Sequence, residues 1–150
     1  MKKNLRNRLA TLLAASALIG GTTLTLGASD AAAASDWTFS KGGVDSEGGF
    51  TIAAYYHGNY AGVMVWNADP VGSIPGDAFQ VGDIGSDGWG MEASMIVPTS
   101  SRTATTRGHA AVYYSQWNTG NLDEGTAVYI QLCAVKDAYS SCSLAYGGHA

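Results

Sequence analysis

The stretch Trp89-Gly90-Met91-Glu92-Ala93-Ser94-Met95-Ile96-Val97 decides the fold class. Trp89, Met91, Ala93, Met95 and Val97 occupy alternate positions, with Gly90, Glu92, Ser94 and Ile96 between them. Successive side chains of an extended chain point to opposite sides, so a period of two gathers the large apolar groups on one face of a half-buried strand. The same period recurs as Phe50, Ile52, Ala54 and Tyr56 against Thr51, Ala53, Tyr55 and His57, and again as Val128, Ile130, Leu132 and Ala134. Shorter strand candidates cover residues 62–67, 78–82 and 109–114. The connectors Asp69-Pro70, Pro75-Gly76-Asp77, Gly85-Ser86-Asp87-Gly88 and Asn118-Thr119-Gly120-Asn121 carry residues that preset or tolerate turn dihedrals. Beyond position 35 no window of about twelve residues combines a 3.6-residue period with caps, so helices are not expected.

The first residues read differently. Lys2, Lys3, Arg6 and Arg8 precede an apolar run from Leu9 to Ile19, and Ala32, Ala33 and Ala34 follow. A basic start, a short apolar segment and small residues before a cleavage point form the pattern of a secretory signal peptide. The run is shorter than the roughly 20 residues of a comfortable membrane span. The expected organisation is therefore a signal peptide over residues 1–34 and one domain over 35–150, secreted and extracellular, with no membrane attachment after cleavage.

Removing that segment changes the charge. The whole chain has 8 Lys and Arg against 12 Asp and Glu, a net of −4. Beyond Ser35 only Lys41, Arg102, Arg107 and Lys136 remain positive against eleven acids, a net of −7. Such a domain lacks the basic footprint of a nucleic-acid binder. Cys133 and Cys142 are the only two cysteines, and outside the cytosol thiols tend to pair. One intramolecular connectivity exists; two free thiols or an intermolecular pair are the other arrangements. A bridge closing a loop of about ten residues would stabilise by about 2.7 kcal/mol, a local staple. Too few Cys and His lie at close spacing for a zinc site.

About six to eight short strands with Gly-rich turns in a domain of this size point to an antiparallel β-sandwich. The segment from Leu122 to Leu132 resembles the penultimate strand of fibronectin type III and other immunoglobulin-like domains: Leu122 opens the corner, Gly125-Thr126 follow, and Val128, Ile130 and Leu132 enter the core. The family's corner tyrosine would fall at Val128, so that hallmark is missing. The resemblance implies an immunoglobulin-like sandwich, with Cys133 at the end of this strand and Cys142 near the start of a last strand over residues 143–146. The bridge would then close the final hairpin.

Chemistry-bearing residues are sparse. His57, His109 and His149 accompany no Gly-x-Ser-x-Gly elbow, and no spacing selects a nucleophile and base. His149 is expected in a frayed tail. Asp83, Asp87 and Glu92 could pair as carboxylates or offer oxygens to calcium, but Asp beside Gly is ordinary turn chemistry and the loop lacks EF-hand spacing. Catalysis, cofactors and metals are accordingly not expected.

Aromatic residues stand out instead. All 4 Trp, 8 Tyr and 3 Phe lie beyond Ser35. Adjacent tyrosines on a strand face opposite ways, so one of Tyr55 and Tyr56, and one of Tyr113 and Tyr114, should be outside. With Tyr60, Trp117, Arg107 and His109 they form the candidate binding set Tyr55, Tyr56, Tyr60, Tyr113, Trp117, Arg107 and His109, since tyrosine supplies contact area at small entropic loss. Arg102 and Arg107 read as an exposed loop whose guanidinium groups pair with the surplus acids.

Gly76-Asp77-Ala78-Phe79-Gln80-Val81, Asp83, Asp87-Gly88-Trp89-Gly90, Glu92-Ala93, Thr106-Arg107-Gly108-His109, Gly120-Asn121-Leu122 and Glu124-Gly125-Thr126, followed by Cys133 and Cys142, resemble small secreted proteins of Streptomyces-type actinobacteria. The plan of a signal peptide and one small disulfide-bearing β domain is similar to the adaptor subunit of umbrella toxin particles, which joins a lectin-like subunit to a toxin-bearing one. The resemblance implies a non-catalytic module whose partners are other secreted proteins. Polysaccharide binding, or hydrolysis through Asp83 or His109, is the alternative.

Overall fold

Alternate apolar residues become the inner faces of two sheets. A computed structural model describes residues 36–150, and the expected signal peptide lies outside the described residues. Every helix or strand element in that range is a strand, ten in all. The first sheet runs in the order β1 (Trp37–Lys41), β2 (Phe50–Tyr56), β3 (Asn59–Asn67), β4 (Ala78–Asp83), β7 (Tyr113–Tyr114). The second contains β5 (Gly90–Val97), β6 (Thr103–Thr105), β8 (Ala127–Lys136), β9 (Tyr139–Cys142) and β10 (Tyr146–His149), in the order β10-β8-β5-β6 with β9 beside β8. All pairings are antiparallel.

Both sheets feed one core. Ile52, Met64, Trp66, Phe79 and Val81 come from the first, and Met91, Ala93, Val128, Ile130 and Leu132 from the second. Each large side chain taken fully out of water contributes about 1.5–3 kcal/mol, which is what fixes the register of the strands. The β2–β3 connection is a two-residue loop, with His57 at φ 49° and Gly58 at φ 80°. Both positive angles match a type I′ turn, whose twist suits a hairpin.

Ten strands exceed the expected six to eight because β6, β7, β9 and β10 have only two to four residues each. The alternation from Trp89 ends early. A register shift between Met95 and Val97 leaves Ile96 and Val97 both exposed, so Val97 does not join the core. Of residues 109–114 only Tyr113 and Tyr114 form a strand.

The expected C-terminal arrangement is corrected more substantially. Cys133 and Cys142 are bonded, and they are direct partners across β8 and β9 with Cα atoms 4.0 Å apart. Cys142 ends β9 and does not begin a last strand. The bridge therefore closes the β8–β9 hairpin, and the final strand begins at Tyr146. β10 then pairs with the other end of β8, Tyr146 opposite Ile130 and His149 opposite Ala127. His149 is not frayed. Its carbonyl accepts the Trp66 indole N–H at 3.0 Å, and Ala150 exchanges backbone hydrogen bonds with Thr126 and Gly125.

The two arginines part company. Arg107 pairs with Glu92, as expected. Arg102 turns inward and donates to the carbonyls of Asp77 and Asn118 at 2.6 Å each and to Asn118 Oδ1 at 3.0 Å. Its guanidinium carbon lies 5.2 Å from the Phe79 ring centre and 5.9 Å from that of Trp66. Carbonyl oxygens and ring faces replace the expected acids as its partners.

Candidate functional site

The period of two along β4 sends Phe79, Val81 and Asp83 inward. Asp83 ends the strand, so an acid faces the core side at the margin of the sheet. One register row, Phe39–Ala54–Gly62–Asp83–Tyr113, crosses all five strands there. Gly62 is required in it, since a Cβ would run into the Met91 side chain. Asp83 is 2% exposed, and its Oδ1 is buried with no hydrogen-bond partner among the described residues. Burial, reinforced by the neighbouring Asp87 carboxylate and partly opposed by the Gly85 amide, pushes its pKa up to about 6.

Asp83 lines a cleft of about 500 Å³ whose other wall comes from the second sheet. Trp89 and Gly90 enter β5, residues 106–111 leave β6, and residues 135–137 end β8. Thr106, fully buried, holds these segments together: its Oγ1 accepts the Met91 N–H at 2.7 Å and donates to the Met91 carbonyl at 3.3 Å. The chain then turns at Gly108, with φ at 83°. Arg107 sits on the rim, donating from Nε to Glu92 at 3.0 Å and from Nη1 to the Asp137 carbonyl at 3.2 Å. Both ends of that ion pair face solvent, so its stabilising contribution is small. His109 stacks on Tyr113 with ring centres 3.7 Å apart and planes within 5°. Lys136 Nζ lies 5.9 Å from the Trp89 ring centre.

A second cluster occupies the outer face of the first sheet. Tyr55 and Tyr60 are direct cross-strand partners, with ring centres 5.9 Å apart and planes at 61°. The neighbouring row is Ser40–Ala53–Val63–Gly82–Tyr114. A Cβ on Gly82 would collide with the Tyr114 ring, so the glycine lets that ring fold over the sheet. Tyr60 is 47% exposed and Tyr114 49% exposed. Partial burial, then the proximity of Tyr114 and Tyr55, raises the Tyr60 hydroxyl pKa, which places the three tyrosines in one electrostatic neighbourhood.

The expected binding residues thus divide between two places. Tyr55 and Tyr60 lie on the outer face; Arg107, His109 and Tyr113 lie at or beside the cleft. Tyr56 is on the opposite face from Tyr55 and packs on Trp37 and Trp89 at 4.9 and 6.5 Å between ring centres. Trp117 is half-buried, beside the bridge from Asn118 to Phe79. Tyr114, Trp89 and Lys136 lie outside the expected set, and Asp83, expected in turn chemistry, is buried. The Tyr113-Tyr114 alternation was the available signal for Tyr114; nothing local marked Asp83 as buried.

No group of three or more metal-ligating side chains occurs among the described residues, and no helix there is long and apolar enough to cross a membrane. Compared with protein-family models, curated proteins and solved structures, the chain matches none.

Proposed function

We propose that the protein is a secreted, non-catalytic interaction module that engages other extracellular proteins through the outer tyrosine face of its first sheet. The observation that carries this reading is the set of Tyr55, Tyr60 and Tyr114 side chains, the last two about half exposed, held on a rigid sheet beside the small residues Ala53 and Gly82. Aromatic side chains with few rotatable bonds, set on a scaffold that need not reorganise, lose little entropy on binding. The disulfide is compatible with an extracellular protein.

The angle between Tyr55 and Tyr60 favours a protein over a flat glycan. Two rings at 61° do not form one flat platform on which a planar extended glycan would stack. Protein surfaces, with side chains of varied orientation, fill the angle between them. The two-sheet core supports an immunoglobulin-like sandwich in the broad sense, with a sheet order of its own in which β1 to β4 form an uninterrupted meander. The resemblance in overall plan supports a place as an adaptor subunit in an extracellular toxin particle.

Affinity purification of the tagged protein from its producer's medium, followed by mass spectrometry, tests the reading. Defined partner proteins should co-purify with the native chain and fall at least tenfold with Tyr60→Ser/Tyr114→Ser. Retention on chitin, cellulose or peptidoglycan without protein partners would favour the carbohydrate alternative. A native chain running alone in size-exclusion chromatography of the medium would count against the proposal.

A further inference from the structure

We infer that the cleft at the β4–β7 end of the fold binds a ligand bearing an ammonium or guanidinium group, which Asp83 receives at its inner end. The site is separate from the tyrosine face and does not rest on the function proposed for that face.

Four observations converge on it. Asp83 presents a buried oxygen that no donor of the described chain satisfies, and a desolvated carboxylate gains most from a cation. The two cations that line the cleft are engaged by groups other than Asp83: Arg107 by Glu92 and the Asp137 carbonyl, and Lys136 near the Trp89 ring. The local charge is negative. Glu92 balances Arg107, which leaves the lining carboxylates of Asp83 and Asp137, with Asp87 adjoining Asp83, against Lys136. Finally, the volume of about 500 Å³ falls within the range of small-ligand pockets, and Trp89, Ala110 and Ala111 supply apolar wall for an alkyl stem.

Binding should follow the ionisation of Asp83. The groups facing it are Asp87 from the loop after β4, Tyr113 from β7 with His109 stacked behind it, Arg107 from the segment after β6, and Lys136 and Asp137 from the end of β8. With the carboxyl titrating at about 6, only about a tenth of it is charged at pH 5, which predicts roughly a tenfold loss of apparent affinity from pH 7.5.

The test is an amide NMR titration of the full domain with n-butylammonium and with methylguanidinium, using n-butanol as the neutral control. Saturable shifts are expected at Gly85, Gly88, Gly90 and Thr106 with the cations and not with butanol. Asp83→Asn should weaken them at least tenfold at pH 7.5, and Lys136→Met, which removes a like charge, should strengthen them. In the unaltered protein, saturating n-butylammonium should lower the pKa of the Asp83 carboxyl carbon signal, a readout that survives any folding defect of the variant. An acetyl-Gly-Lys-Gly amide peptide binding more tightly than n-butylammonium would identify a partner's side chain as the source of the cation; the reverse order would identify a free small amine. Absence of saturable shifts with both cations, equal shifts with n-butanol, or an Asp83 pKa unmoved by the amine would overturn the inference.

Discussion

Replacing Asp83 by Asn should make the protein more stable at neutral pH. The folded carboxyl titrates at about 6, raised from 3.8, so between those values the native state holds a proton that the unfolded chain has released. Stability contributed by this group is therefore greatest below about pH 4, declines as pH rises, and levels off above about pH 6. The displacement of about two units corresponds to about 3 kcal/mol at pH 7.5. Asn keeps the shape and discards the charge, but it leaves a buried polar group only partly satisfied, so the net gain should lie between about 1 and 3 kcal/mol. Urea denaturation of both proteins at about pH 4, 5.5 and 7.5, followed by tryptophan fluorescence, isolates the effect from every other carboxylate. The variant's advantage should be near zero at the lowest pH and fully developed at the highest. The corresponding rise in Tm is on the order of 5–10 °C at neutral pH. A variant less stable than the native chain at pH 7.5, or a difference that does not change with pH, would refute the reasoning. A stability cost retained at a cleft is the pattern expected where a buried charge serves binding.

Arg102→Met should destabilise the fold by about 2–4 kcal/mol in denaturant titration, because it removes three part-buried hydrogen bonds to Asp77 and Asn118 and takes from the Asp77 carbonyl its side-chain donor, while the Asn118 carbonyl keeps the Phe79 N–H. Cys133→Ser/Cys142→Ser should cost no more than about 3 kcal/mol and leave a cooperative, folded domain, since the bridge spans a sequence separation of only 9; loss of cooperative unfolding would contradict this. Gly148→Ala should be more damaging than Gly43→Ala in the same assay. A Cβ at Gly148 meets the Gly48 carbonyl and the Phe50 ring, whereas Gly43 has open space around it.

Much of the fold could be read from the chain because its longest strands bury one face and expose the other. β2, β5 and β8 announce themselves by alternation, and their apolar positions are found inside except Val97 at the end of β5, where the register shifts. β6 is Thr-Ala-Thr, and β9 is Tyr-Ser-Ser-Cys; neither has enough apolar contrast to show a period. β10 looked like a tail because Gly147-Gly148 carries no side-chain signal, and it is held by pairing to residues about twenty positions earlier and by Trp66 from the other sheet. Composition marks Arg107, His109 and Tyr113, which share one region, whereas the burial of Asp83 depends on its neighbours β3 and β7 and on the segments across the cleft. The inward turn of Arg102 is hidden for the same reason: its carbonyl partners are contributed by residues 77 and 118, which sequence proximity does not bring near it.

The role of the outer tyrosine face is tested most directly by photocross-linking in the producer's medium. A p-benzoylphenylalanine placed at Tyr114 should trap a defined protein partner. The same group at Tyr139, which is 73% exposed on the second sheet, should not. Equal capture at the two positions, or capture at Tyr139 alone, would contradict the assignment of the first sheet's outer face as the interaction surface.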